Sequence, residues 1–212
     1  MRVAELWRYP VKSLEGERLE RVDVLADGLR GDRATRVLGP GGERITGRTA
    51  NGLLGVQAAL GDDGEPTVDG HHWDSDAALA LIRRAAGEGS TLAPVGRHFD
   101  SLQVHIVTDG TVAMLGEDRR RLRPNIVIEG VERLEEIGWV GRRLRLGGVE
   151  LDVRERCTRC VMTTIDPDTQ EVCPDVLRRI NEEFDRRIGL LCDVVVVGEV
   201  VQGDRVELLP AG

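Results

Sequence analysis

Two cysteines three positions apart head the stretch Cys157-Thr158-Arg159-Cys160-Val161-Met162-Thr163-Thr164-Ile165-Asp166-Pro167-Asp168-Thr169. A thiolate is a soft ligand and a nucleophile, and a nearby cation favours it. Arg154, Arg156 and Arg159 crowd this pair. Several chemistries suit the spacing. Half of a zinc site needs a second ligand pair, and no further C-x-x-C or H-x-x-x-H lies downstream. A dithiol redox pair normally opens a helix, and Asp166-Pro167-Asp168 soon interrupts one here. Two buried packing cysteines remain open, since free cysteine behaves as a small hydrophobe. A soft-metal ligand or a nucleophile remains open too.

Other polar groups recur at strand ends. Lys12 and Ser13 follow a turn at Pro10, Asp32-Arg33 follows Gly31, and Arg121-Leu122-Arg123-Pro124-Asn125 enters an apolar run. Arginine offers a fork that matches phosphate or carboxylate oxygens, and lysine a point charge. Lysine occurs once, at Lys12, among 29 basic residues, so an amine is kept at one place in a chain that otherwise uses guanidinium. Converging on one mouth, these groups would suit an anionic, phosphate-bearing ligand, with Thr46-Gly47-Arg48 on its rim. Taken singly, each also fits a solvated surface charge.

The elements that must position them are mostly short strands. Residues 2–8, 17–25, 34–38, 43–46, 52–60 and 66–73 read as strands, with a hairpin around Gly39-Pro40-Gly41-Gly42. A helix is expected over 76–86, capped by Ser75 and ended by Gly87. Strands follow at 103–107 and 125–128, with a short helix at 111–115. Residues 143–146 and 149–153 flank Gly147-Gly148, a two-residue hairpin signal. A second helix is expected over 174–188, opened by Pro174 and ended by Gly189, then strands at 190–197 and 205–209. Many short strands with few helices predict a mainly β, barrel-like fold. A soft boundary lies near Gly87 to Gly96.

The chain has 212 residues and a formal net charge of −8, which argues against a nucleic-acid or anionic-membrane partner. No apolar run reaches membrane-spanning length and no signal-type segment opens the sequence. Four unevenly spaced cysteines do not form a disulfide framework, so a reducing cytoplasm is the expected setting. His71, His72, His98 and His105 show no ligand spacing. Glu132, Glu135 and Glu136 read as a solvated face, and Trp7, Trp73 and Trp139 as packing. Cys173 and Cys192 have no assigned role. No phosphate-loop, dinucleotide or G-x-S-x-G motif is present.

Tyr9-Pro10-Val11-Lys12-Ser13, Gly31-Asp32-Arg33, Arg121-Leu122-Arg123-Pro124-Asn125, the cysteine-to-aspartate stretch and the tail Val200-Val201-Gln202-Gly203-Asp204-Arg205-Val206 occur in the order seen in MOSC-domain proteins. The chain resembles those with an N-terminal MOSC β-barrel domain, the group that includes the mitochondrial amidoxime-reducing component. The resemblance implies a smaller N-terminal β-rich domain over 1–95 and a MOSC domain over 96–212. It implies a molybdenum cofactor, with Cys160 as the protein ligand to the metal. Lys12, Ser13, Arg33, Arg123 and Asn125 would hold the pterin and its phosphate, and Thr158 stands where relatives carry serine. The implied reaction is two-electron reduction of a small N-oxygenated substrate, with electrons from a separate flavin or iron–sulfur protein. The alternative is a sulfur or cofactor carrier using Cys160. Gln170 replaces the glycine that often follows Pro-Asp-Thr, and the chain is shorter than eukaryotic members, which bears on substrate pocket and partner surface.

Overall fold

The computed structural model describes residues 1–98 and 102–210. Eight strands form one sheet in the order Val206–Leu208, Arg143–Leu146, Val149–Thr158, Arg187–Val196, Val104–Thr108, Ile126–Glu129, Arg2–Arg8 and Glu17–Leu19. Neighbours run antiparallel except Val104–Thr108 and Ile126–Glu129, which are parallel. A parallel pair needs a crossover. The helix Asp109–Leu115 and the 3₁₀ turn Arg119–Leu122 supply it. The sheet curls until Val206 N–H donates to Met1 O (3.0 Å) and Val3 N–H to Asp204 O (2.9 Å). An isolated bridge between Arg2 and Arg205 marks the seam. The architecture is therefore mainly β and barrel-like, with the ladder left unclosed.

Alternation sets which face is inside. In Arg143–Leu146 both leucines are fully buried while Arg145 faces solvent. They join Leu6, Ile106, Ile126, Ile128 and Leu151 in the core of the curled sheet. Gly147 (φ 55°) makes the expected tight turn, with Leu146 directly opposite Val149. The outer face is covered by helices: Val176, Ile180 and Phe184 pack against Val107, Leu115 and Val127. A third cluster lies in the N-terminal half, where Ala78 and Ile82 of the helix Asp76–Ala86 meet Val11, Leu14, Val37 and Leu53. That helix begins where expected because the Ser75 hydroxyl accepts the Ala78 N–H (3.2 Å).

Three small sheets complete the fold: Val11–Lys12 with Thr35–Leu38 and Thr91–Leu92; Arg21–Leu25 with Gly28–Leu29 and Gly198–Val201; and Ala58–Leu60 with Pro66–Val68 and His71–His72. Strands from the two ends of the sequence thus interleave, since Arg2–Arg8 lies in the large sheet and Gly198–Val201 pairs with Arg21–Leu25.

Several expected boundaries move. The run 17–25 is two strands, broken at Glu20, because its halves serve different sheets. The second arm of the Gly39–Gly42 hairpin keeps only a bridge from Leu38 to Arg44. Residues 51–55 form a 3₁₀ turn where a strand was expected. The helix after Pro174 stops at Glu183. Asp185 and Arg186 then take left-handed backbone, and Ile188 belongs to the strand Arg187–Val196. The strand expected over 149–153 continues to Thr158, so Cys157 is on a strand and not in a loop. Glu136 is buried, contrary to its expected place on a solvated face.

Candidate functional site

The cysteine-bearing stretch leaves the sheet in extended form. Arg159 N–H donates to Arg186 O (2.9 Å), prolonging the ladder past Thr158, and Cys160 is itself extended (φ −133°, ψ 179°). At ~3.3 Å per extended residue, positions i and i+3 lie roughly 10 Å apart. A disulfide requires about 7 Å or less between Cα atoms. This geometry disfavours the dithiol-pair reading, and both cysteines are free and half-buried. A 3₁₀ turn, Val161–Thr164, then folds the chain back. Its threonines are structural: Thr163 Oγ1 donates to Cys160 O (2.9 Å) and Thr164 Oγ1 to Val161 O (2.7 Å).

The aspartates anchor that turn. Asp166 accepts N–H bonds from Asp168 and Thr169 (both 3.0 Å). These two backbone donors are the main cause holding its carboxyl below the usual range. Its other oxygen accepts from Arg121 (2.7 Å), which also donates to Thr164 O (3.2 Å). Arg120 grips Asp168 through two bonds of 2.9 and 2.7 Å. The Arg119–Leu122 turn is thereby tied to the cysteine segment.

Beside Cys160 opens a cavity of about 320 Å³ whose wall includes Lys12, Ser13, Arg33, Arg123, Asn125, Thr158 and Cys160. All seven residues singled out from the sequence therefore meet at one place. Thr46 and Arg48 join the rim. Ser13, Arg33 and Arg123 each hold a left-handed backbone, with φ of 74°, 50° and 52°. Non-glycine residues adopt it at a cost of about 1–3 kcal/mol, and such strain gathers at functional sites. The Tyr9 ring carries two cations, with Arg123 Cζ 4.2 Å and Arg33 Cζ 5.1 Å from its centroid. Burial pushes the Tyr9 phenol up to about 12 and the Arg123 guanidinium down to about 10, so both keep their ordinary charge near neutrality. Asp32 accepts the Tyr9 N–H (2.8 Å) and pairs with Arg33. Asn125 is partly spent within the fold. Its Oδ1 accepts from His105 N–H (3.1 Å) and its Nδ2 donates to Trp7 O (3.3 Å), which leaves one amide hydrogen for a ligand.

Of the three arginines flanking the cysteines, only Arg159 touches sulfur, donating to Cys157 Sγ at 3.0 Å. Arg154 pairs with Asp193 (2.6 Å), and Arg156 donates to Phe184 O (2.7 Å) and Arg187 O (2.8 Å). Arg159 also donates to Leu122 O (2.7 Å) and meets His105 Nε2 at 3.3 Å. A guanidinium has no acceptor, so Nε2 accepts and His105 carries its proton on Nδ1, facing Arg123 O at 3.3 Å. Sequence reasoning gave His105 no role. Its one signal was a polar residue inside the apolar run Val104-His105-Ile106-Val107. Tyr9 as a platform and Glu155 on the cavity wall were missed as well.

The lining is strongly cationic in a chain of net charge −8: among the described residues Lys12, Arg33, Arg48, Arg121, Arg123, Arg156 and Arg159 line it, with the carboxylate of Glu155. Soft sulfur next to clustered cations and hydroxyls, at the strand ends of a curled sheet, is chemistry that suits an anionic group and a soft atom. Residues 98–207 match the MOSC domain and residues 1–95 the MOSC N-terminal beta barrel domain. The chain belongs to the MOSC domain family. Curated relatives include mitochondrial amidoxime reducing component 2 of Bos taurus (26% identity) and mitochondrial amidoxime-reducing component 1 of Homo sapiens (28%). Each match covers 79% of this chain and 67% of the relative. A shorter match, 40% identical over 32% of this chain and 9% of the relative, is to the molybdenum cofactor sulfurase of Anopheles gambiae. Among solved structures, the YUAD protein from Bacillus subtilis superposes with a TM-score of 0.55 at 15% identity, covering 98% of this chain and 94% of that one. That likeness concerns the fold.

Proposed function

We propose that the cavity holds a molybdenum cofactor through Cys160 and that the protein reduces small N-hydroxylated compounds by two electrons. Family membership and relatives named for amidoxime reduction and for molybdenum cofactor sulfuration support an association with that cofactor. The observation that carries the reading is convergence: a half-buried thiol and seven cationic side chains, drawn from distant parts of the sequence, line one cavity. The donor set fits the group, since a thiolate suits a soft metal and guanidinium forks suit a phosphate.

Cys160 is assigned as the metal ligand. Lys12, Arg33 and Arg123 hold the phosphate, the last two fixed in place by the Tyr9 ring, and Ser13, Thr158 and the remaining Asn125 N–H supply hydrogen bonds. When bound, the cofactor supplies the two-electron redox chemistry. The chain orients it and sets the local field. Electrons come from a separate flavin or iron–sulfur protein. We assign residues 1–95 to the N-terminal barrel-type region and 96–212 to the MOSC domain. Among the described residues no helix is long and apolar enough to cross a membrane. Four free thiols suit a reducing compartment, and we assign the protein to the cytoplasm.

The test is elemental analysis of protein from a molybdenum-replete host, with Cys160→Ala alongside. Near-stoichiometric molybdenum in the wild type is expected. In the variant, metal is lost and turnover drops at least about a hundredfold, with circular dichroism unchanged. Full turnover with metal retained in Cys160→Ala contradicts the ligand role. The sulfurase match favours a second reading, a sulfur or cofactor carrier; cyanide-labile sulfur on Cys160 without metal decides for it.

A further inference from the structure

Arg36 stands directly opposite Lys12 in the parallel pairing of Val11–Lys12 with Thr35–Leu38. Side chains alternate across a strand, and burial separates the two faces. Val11 and Val37 are sealed in the N-terminal core. Lys12 and Arg36 share the opposite face, the one on which Lys12 lines the cavity. Neighbouring strands lie about 4.8 Å apart, so an amine and a guanidinium leave adjacent backbone positions together. His98 flanks them. Its segment is bound to the same strand through Ala93 N–H to Arg36 O (2.9 Å) and His98 N–H to Arg33 O (3.2 Å). Burial first, then the Arg36 and Lys12 charges, hold its imidazole below the ordinary value, so both cations act on one spot. Arg36 is half-buried and its Nε is fully buried, yet no hydrogen bond or ion pair joins its guanidinium to another described residue. Other arginines at the cavity are committed: Arg121 to Asp166 and Thr164 O, Arg156 to Phe184 O and Arg187 O, Arg159 to Leu122 O. Buried polar groups are ordinarily paired, and one that is not calls for a partner from outside the chain. A guanidinium fork matches phosphate oxygens in pairs.

We infer that Arg36, beside Lys12, forms a second anion position at the edge of the cavity, and that the site takes a ligand carrying two linked phosphate groups. The inference rests on the proposed placing of a phosphate at Lys12 and extends it outward by one strand. The first phosphate sits among Lys12 and the cavity cations; the next lies on the Arg36 fork. The lysine ammonium is a point charge with rotatable donors and serves both, whereas the planar fork takes one. Arg36 thereby adds to the binding of a diphosphate and adds little to that of a single phosphate. No bond is made or broken at this position.

The test uses the full chain, purified from a host unable to make the pterin, as wild type, Arg36→Gln and Arg36→Lys. Inorganic phosphate and pyrophosphate are titrated calorimetrically into each, and thermal melts check folding. Arg36→Gln is expected to lose about tenfold in pyrophosphate affinity, the range of one charge-assisted hydrogen bond, and no more than about threefold in phosphate affinity, the range of one screened charge. Arg36→Lys keeps the charge without the fork and is expected to fall between wild type and Arg36→Gln. It carries the decision if Arg36→Gln does not fold. Pyrophosphate that fails to bind wild type, keeps its affinity in the variants, or loses affinity in equal measure with phosphate overturns the inference. The cofactor reading is decided separately, by molybdenum in protein from a replete host. No molybdenum there, with the selective loss intact, overturns the cofactor and keeps the second anion position; molybdenum without the selective loss does the reverse. Once both hold, the phosphorus-to-molybdenum ratio names the source: two phosphorus atoms per metal put the diphosphate on the resident group, and one puts it on a free ligand.

Discussion

His105 shows how one buried side chain ties the site to pH. Burial first, then the Arg159 cation, push its imidazole down to about 3, from an ordinary value near 6.5. Between those values the unfolded chain binds a proton that the folded chain refuses, so stability falls as pH drops through that window. In urea denaturation, the midpoint should fall between pH 7 and pH 4. His105→Gln, which can still accept from Arg159, should lose that part of the slope. Equal slopes would place the acid sensitivity in other groups. At this scale the sequence was legible where identity alone carries meaning: a lone lysine, a C-x-x-C, Arg123 before Pro124. It was silent where meaning depends on neighbours. Tyr9 becomes a platform only once two arginines stack on it.

Among the elements, the Arg119–Leu122 turn is the clamp for the cysteine segment. Arg121 is nearly buried and bonds Asp166 and Thr164 O. Breaking a buried pair from one side costs about 3–5 kcal/mol, and partial exposure of Asp166 reduces that to about 2 kcal/mol here. Arg121→Met should lower unfolding free energy by about that amount and speed amide exchange selectively over residues 163–169. Exchange that rises evenly across the chain would mean that Arg121 serves the general core. The elements also show what local pattern can and cannot reveal. The 76–86 helix was readable end to end because Ser75 and Gly87 are local signals. The helix after Pro174 was overextended because Phe184 and Ile188 continue a helical spacing. What stops it is the left-handed pair Asp185-Arg186, which carries no strong composition cue. Gly189 is required for another reason. It holds φ 82°, and a Cβ there would meet His105 Nε2 at 2.5 Å. The 17–25 run shifts phase at Glu20-Arg21, between Leu19 and the buried Val22 and Val24, where one strand ends and the next begins; which sheet each half joins is a long-range choice that alternation does not encode.

For the whole molecule, the contrast is between a chain of net charge −8 and a cavity lined by seven cations. Such a site draws anions by a field that salt screens, with a Debye length of about 10 Å at 0.1 M. Inorganic phosphate affinity should therefore weaken several-fold between 50 and 300 mM sodium chloride, while the melting temperature of the ligand-free protein changes little. Calorimetry at three salt concentrations checks this, and a flat profile would assign recognition to hydrogen bonds alone. The barrel-like class followed from many short strands, but the interleaving of the two halves did not, since a strand does not announce its partner. That interleaving has a kinetic side. Leu6 pairs on one side with nearby Leu19 and on the other with distant Ile126, and Met1 O receives its bond from Val206, so one side of strand 2–8 stays open until the middle of the polypeptide exists, and its start until residue 206 does. Contacts so distant in sequence slow folding. During synthesis residues 2–8 are thus an unsatisfied edge, and the seam between Arg2 and Arg205 would be among the last places to zip.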